Sequence, residues 1–192
     1  MILTARFQKA LVYAAQLHAN QMRKGSDVPY IAHLLGVASL VLEYGGSEDE
    51  AIAALLHDAV EDQGGAQTLE IIRSRFGITV AMIVLGCSDS QTFPKPPWRQ
   101  RKEAYLAHLR NSLPGVLLVT SADKLYNARS ILSDYRHIGP KLWERFKGDK
   151  EGTLWYYHSL VVSLSEFGMT PIVAELARTV EEIERVVKER EG

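Results

Sequence analysis

At 192 residues the chain has the length of one ordinary domain, long enough to bury a core without disulfide or metal staples. A 46% hydrophobic, 23% charged composition is that of a globular protein, and a formal net charge of −1 excludes the broad basic surface that nucleic-acid binding needs. The single cysteine, Cys87, excludes an internal disulfide and suits a reducing compartment. The opening MILTARFQKA lacks the basic-then-apolar pattern of a signal peptide. The longest uncharged apolar run, 77–87, is well short of the ~20 residues of a membrane span. The expectation is a cytoplasmic protein with no membrane or nucleic-acid partner, in which any anion site is local.

Helical periodicity recurs along nearly the whole chain. Phe7, Ala10, Leu11, Ala14 and His18 mark a first amphipathic helix with Thr4 as its cap. Gly25 and Pro29 break it, and a second helix runs from about Tyr30 to Tyr44, ending at Gly45–Gly46. Ser47 caps a third, with Glu48, Asp49 and Glu50 in its first turn, and this helix is expected to carry AIAALLHDAVED without interruption. Two short helices follow, from Thr68 to about Gly77 and from Thr79 to about Ser88. The prolines of SQTFPKPPW make a loop. Helices are then predicted at 98–111, from Pro114 to about Tyr135, at 142–146, 153–167 and 171–189. GVLLV at 115–119 has strand composition but no partner strand. The expectation is an all-α bundle of nine or ten helices forming a single domain over 1–192. Ile172, Leu176, Val180, Ile183 and Val187 line one face of the last helix, which packs on the body or forms a homodimer contact.

The segment LLHDAVED places His57, Asp58, Glu61 and Asp62 beside residues that ask for burial. Buried charges are costly unless paired, neutralised or bound to metal. On a helix His57 and Asp58 sit about 100° apart, so their tips can converge. His33 lies within the apolar stripe YIAHLLGVASLVL, as either a hydrogen-bonded core residue or a ligand. In VLLVTSADKLYNARSILSD, Asp123, Asn127, Ser130 and Asp134 form one polar line, either a solvated face or a cleft wall. Together His33, His57, Asp58 and Asp123 make a mixed nitrogen–oxygen set suited to Mn²⁺, Fe²⁺ or Zn²⁺, with no thiolate to favour zinc strongly. Glu61 and Asp62 are placed one turn on, where one of them could orient or deprotonate a water.

LLHDAVED, the upstream RKGSDVPYIAH and the downstream ADKLYNAR resemble, in combination and order, the HD-domain superfamily of metal phosphohydrolases. More narrowly they are similar to the alarmone hydrolases: the hydrolase domain of the Rel/Spo enzymes and its small stand-alone relatives. That resemblance implies an all-helical fold and one Mn²⁺ at His33, His57, Asp58 and Asp123, with Glu61 and Asp62 serving the attacking water. It also implies removal of the 3′-pyrophosphate from guanosine alarmones, (p)ppGpp, or their adenosine analogues, (p)ppApp. Arg23, Lys24, Asn127 and Ser130 match positions that touch nucleotide in the family.

The residue types agree with those roles: Arg stacks on bases or forks onto phosphate, and Lys offers a point charge. Lys124 can serve either the site or the core. Lys95, Arg99, Arg101 and Lys102 beside Trp98, in the region 93–102, have no clear match in the family. They are either a second phosphate-binding element, with Lys95 and Arg99 as further substrate contacts, or a basic surface loop. Trp98 or Arg99 would then lie near the ligand. Two other functions fit the same ligands: an HD-type phosphatase of nucleoside monophosphates or NADPH, and a nucleotide sensor without catalysis.

Overall fold

The structure is a computed structural model, and it describes residues 2–89 and 94–191. The expected loop at 90–98 lies partly outside them. The described residues fold as ten α-helices and one 3-10 helix. They are α1 (Ala5–Leu17), α2 (Ile31–Glu43), α3 (Glu48–Leu56), α4 (Ala59–Asp62), α5 (Gly65–Phe76), α6 (Ile78–Cys87), α7 (Trp98–Leu109), α8 (Pro114–Ile138), the 3-10 segment Gly139–Arg145, α9 (Asp149–Ser165) and α10 (Pro171–Glu191). The fold class is all-helical, as expected from periodicity. GVLLV is helical, inside α8. The one extended pairing among the described residues is an isolated antiparallel bridge, Met22 with Pro29. No helix among them is long and apolar enough to cross a membrane.

The contacts group the chain into two compact units. The first comprises Met1–Pro96 and Ser112–Ala122. Its centre is α3, whose residues Ala51 to Leu56 are all fully buried against α1, α2 and α6. A helix this apolar starts cleanly only if its first turn is satisfied. Ser47 Oγ accepts from the Glu50 amide at 3.3 Å while Glu50 Oε2 accepts from the Ser47 amide at 2.6 Å, a reciprocal cap. Thr4 caps α1 by accepting from the Arg6 amide. Arg6 then ties this end of α1 to Asp49 at 2.7 Å and to the Phe76 carbonyl at 2.6 Å. The start of α8 lies on α6 at Gly86, where a Cβ would stand 2.6 Å from Val116 Cγ2. That closeness requires glycine.

The second unit comprises Pro97–Asn111 and Asp123–Gly192. Here α9 packs on α10, α7 and the 3-10 segment. The α10 face bearing Ile172, Leu176, Val180, Ile183 and Val187 is buried within the chain. Gly139, at φ +64°, turns the chain out of α8 and Pro140 prevents its return.

The third predicted helix does not run unbroken through AIAALLHDAVED. It ends at Leu56, and a new turn of helix begins at Ala59. His57 remains helical, and Asp58 relaxes to φ −94°, ψ −6°. The cause is the His57 ring: its Nδ1 bonds the Ala54 carbonyl at 2.8 Å, the carbonyl a continuing helix would offer to residue 58.

Candidate metal centre

The corner between α3 and α4 sets the site. His57 is the last residue of the buried helix and Asp58 the first to leave it. His33, the third residue of α2, is 1% exposed and faces them. The two imidazole Nε2 atoms stand 3.3 Å apart. Asp58 Oδ2 lies 3.1 Å from His57 Nε2 and 3.5 Å from His33 Nε2. All three donors fall within 4.8 Å of one another. His57 Nδ1 donates to the Ala54 carbonyl, so the neutral ring turns its Nε2 lone pair toward the other two ligands.

Such a set fits a divalent cation. Separations of 3.1, 3.3 and 3.5 Å are edges of a coordination polyhedron; bond lengths of about 2.0–2.2 Å produce edges of roughly 3–3.5 Å. Two neutral imidazoles and one carboxylate, without thiolate, suit a borderline or hard metal with open positions. His33, His57 and Asp58 would hold it.

Asp123 begins the second unit on α8 and is 7% exposed. Its Oδ2 accepts from Lys124 Nζ and its Oδ1 from Asn127 Nδ2, each at 2.5 Å. Burial opposes the Lys124 charge, but Asp123 and the nearby Tyr156, Tyr105 and Tyr157 hold its pKa well above the ordinary lysine value. Asn127 thus braces the Asp123 carboxylate. Ser130 turns its hydroxyl back to the Tyr126 carbonyl at 3.0 Å.

Glu61 and Asp62 project from α4. Burial pushes the Glu61 carboxyl above its ordinary value; Lys95, bonded to it at 2.6 Å, pulls it down, while Asp89 and Asp58 push it up. Lys95 thus meets an acid of the site. Asp62 is exposed, and its Oδ2 accepts from Gln21 Nε2 at 2.8 Å. Arg23 lies in the loop closed by the Met22–Pro29 bridge, its guanidinium 5.9 Å from the Tyr30 ring centre. Lys24, one residue on, is exposed.

The region after residue 93 is structured by packing. Arg99 bonds Glu103 at 2.7 Å and lies 3.2 Å over the Trp155 ring. The Trp98 indole fills the space over Gly148 and Gly152. Tyr157 is buried, and His158 is exposed, 3.8 Å from Glu184.

Tyr30, His18 and Gln21 escaped the sequence reading as neighbours of the site. Tyr30 counted as part of the apolar surround of His33. Its hydroxyl instead donates to Asp58 Oδ2 at 2.6 Å, and its ring packs edge-on to His33 at 5.5 Å. His18, 2% exposed, stacks on the other side of Tyr30 at 5.2 Å and bonds Gln21 through Nδ1 at 2.7 Å. A sequence signal existed for His18 alone, a histidine in line with the buried face of α1, whose C-terminal end it caps.

The family follows from comparison. A model described as HD domain matches residues 10–152. The chain belongs to the HD domain family. Within it the chain is similar to guanosine-3′,5′-bis(diphosphate) 3′-pyrophosphohydrolase MESH1 of Xenopus tropicalis, 40% identical over 138 residues, covering 70% of this chain and 72% of that protein. The human MESH1 is 36% identical over 146 residues, covering 74% and 76%. A solved structure described as a metazoan ortholog of SpoT that hydrolyzes ppGpp superposes with a TM-score of 0.77 at 26% identity, covering 100% of this chain and 98% of that one.

Proposed function

We propose that the chain, working as a single cytoplasmic hydrolase domain over 1–192, is a Mn²⁺-dependent hydrolase that removes the 3′-pyrophosphate of guanosine tetra- or pentaphosphate. The observation that carries this reading is the convergence of His33 Nε2, His57 Nε2 and Asp58 Oδ2 within 4.8 Å, in a chain 40% identical to a MESH1 enzyme. Guanosine is the base named for both MESH1 relatives, which favours it over adenosine.

Asp123 supplies the fourth ligand in this reading. When bound, the ion supplies Lewis acidity and lowers the pKa of a coordinated water. The protein's own part is positioning and proton transfer. Glu61, its carboxyl pushed up by burial, takes the water's proton. Asp62 orients the same water. Oxygen attacks the phosphorus on the ribose 3′-oxygen, the P–O3′ bond breaks, and the 3′-oxygen leaves as a hydroxyl with the proton that Glu61 took from the water. Pyrophosphate departs with the new oxygen. Arg23 and Lys24 meet the nucleotide from their loop. Lys95 exchanges Glu61 for a phosphate oxygen as substrate enters.

The test is a panel with Mn²⁺: ppGpp, pppGpp, ppApp, pppApp, NADPH and nucleoside monophosphates, scored for pyrophosphate against phosphate. Pyrophosphate from the guanosine 3′-pyrophosphates is the expected result. Phosphate from NADPH or monophosphates alone, or no turnover of any compound, would overturn it.

A further inference from the structure

One side chain touches the acid pair with its own geometry fully determined. Gln21 follows α1 by four residues and lies in the first unit with α4. Its amide meets three partners: Nε2 donates to Asp62 Oδ2 at 2.8 Å, and Oε1 lies 2.7 Å from both Gln63 Nε2 and His18 Nδ1.

Only one amide orientation satisfies all three. An ionised carboxylate accepts only, and a glutamine NH₂ donates only. Turning the amide over would set oxygen against Asp62 oxygen and nitrogen against Gln63 nitrogen. Asp62 therefore fixes the amide, Gln63 answers it with its own NH₂, and the amide fixes the histidine: His18 presents N–H at Nδ1. Its buried Nε2 finds no partner among the described residues, so no competing bond there draws the ring from this task. The stack on Tyr30, 20° from parallel, holds the ring's plane. The Gln21 backbone is also tied, its carbonyl accepting from the Tyr30 amide at 2.9 Å beside the Met22–Pro29 bridge.

We propose that Gln21 is a positioning residue for Asp62, its amide locked by His18 and Gln63 so that one Asp62 oxygen is held and the other is turned to the water. Asp62 is exposed and would otherwise sample several rotamers. The locked amide leaves one. This inference rests on the proposed role of Asp62. It predicts an effect on turnover with none on the metal ligands, because no atom of Gln21 bonds His33, His57 or Asp58 in the contacts described.

The experiment measures kcat and KM for ppGpp with saturating Mn²⁺, alongside Mn²⁺ affinity by calorimetry and the melting temperature. Gln21→Met keeps the length of the side chain and removes both polar atoms. It should lower kcat about 10–100-fold with KM and Mn²⁺ affinity within about threefold of wild type. His18→Leu should reproduce the loss and add little to it in the double variant. His18→Asn, whose amide nitrogen stands where Nδ1 stood, should restore most of kcat. A melting temperature near wild type in Gln21→Met excludes unfolding; should that variant not fold, Gln21→Glu, which keeps the acceptor and repels Asp62, must show the same loss. Unchanged kcat in a folded Gln21 variant, or no rescue by His18→Asn, overturns the inference. Asp62→Asn separates the two levels. If it is inactive while Gln21→Met is fully active, only this inference falls. If Asp62→Asn turns over normally, the role assigned to Asp62 falls and the inference with it.

Discussion

Tyr30→Phe removes one oxygen atom and leaves the ring where it is. The lost bond is the 2.6 Å donation to Asp58 Oδ2, the carboxylate oxygen that faces both histidines. The ring keeps its stack on His18, its edge on His33 and its place beneath Arg23. Hydrogen bonds to charged groups contribute about 1.5–3 kcal/mol. If that energy serves to hold Asp58 in its ligating rotamer, its loss weakens metal binding by about 10–100-fold, at 1.4 kcal/mol per tenfold. An opposing effect exists, because the phenol proton withdraws electron density from Oδ2 and its removal makes the oxygen a better donor. Orientation should prevail, since the lost bond acts on the same Oδ2 that faces both histidines. The assay is calorimetric titration of the metal-free protein with Mn²⁺, with the melting temperature of the metal-free variant as the control for folding. Asp58→Asn sets the lower limit of affinity. A Tyr30→Phe protein that binds Mn²⁺ as tightly as wild type, or more tightly, would refute the reasoning and reduce Tyr30 to a packing residue.

Glu61→Gln should retain Mn²⁺ and lose turnover about 10²–10⁴-fold, the usual worth of a general base; an unchanged rate in single-turnover experiments would remove Glu61 from proton transfer. Gly148→Ala places a Cβ 2.6–2.9 Å from three atoms of the Trp98 indole, on a backbone that alanine tolerates at φ −94°. Overpacking costs about 1–3 kcal/mol, which for a chain of this size lowers the melting temperature by about 2–12 °C; an unshifted melt would mean that Trp98 has room to move. Glu175, Glu182 and Glu191 on α10 are held below their ordinary value chiefly by hydrogen bonds from Arg178, Arg185 and Lys150. Because the folded values are depressed, their stabilisation is complete above 4.5 and is lost as pH falls through the lowered values. Melting temperatures should therefore fall below that point and fall less in the triple Gln variant. High salt should narrow the difference by screening these exposed pairs.

What sequence made legible was local or periodic. Ser47 with Glu50 and Thr4 with Arg6 are short-range caps, and both form as their spacing indicates. Three ligands could be found because a histidine or aspartate in an apolar setting is conspicuous by its cost. The interruption at His57 and Asp58 was invisible because hydrophobic periodicity runs straight through it, and the cause is a ring bonding a carbonyl three residues back. Tyr30 and Gln21 lay beyond reach for another reason. Their bonds span 28 and 41 residues, and nothing in periodicity reports on which face of a loop an amide will turn. For Trp98 the sequence left a ligand-side place and a surface loop both open; the indole fills the space over Gly148 and Gly152, and two distant glycines announce such a seat only once folded.

The placement of the centre follows from the burial of α3. Six consecutive residues, Ala51 to Leu56, have no exposed face, so this helix has no solvent side on which to carry function. Polar groups can appear only at its ends. The N-terminal end carries Glu48, Asp49 and Glu50, which complement the positive pole of the helix. The C-terminal end carries the negative pole, and there the chain sets His57, Asp58, Glu61 and Asp62 with no lysine or arginine between 55 and 65, Lys95 reaching only Glu61. Carboxylates at that pole oppose the helix dipole, and a cation offsets both. The same four residues spread along an exposed helix would each be solvated separately and would need no ion. Concentrated where a buried helix surfaces, they make a cation the group that best completes the electrostatics of the corner.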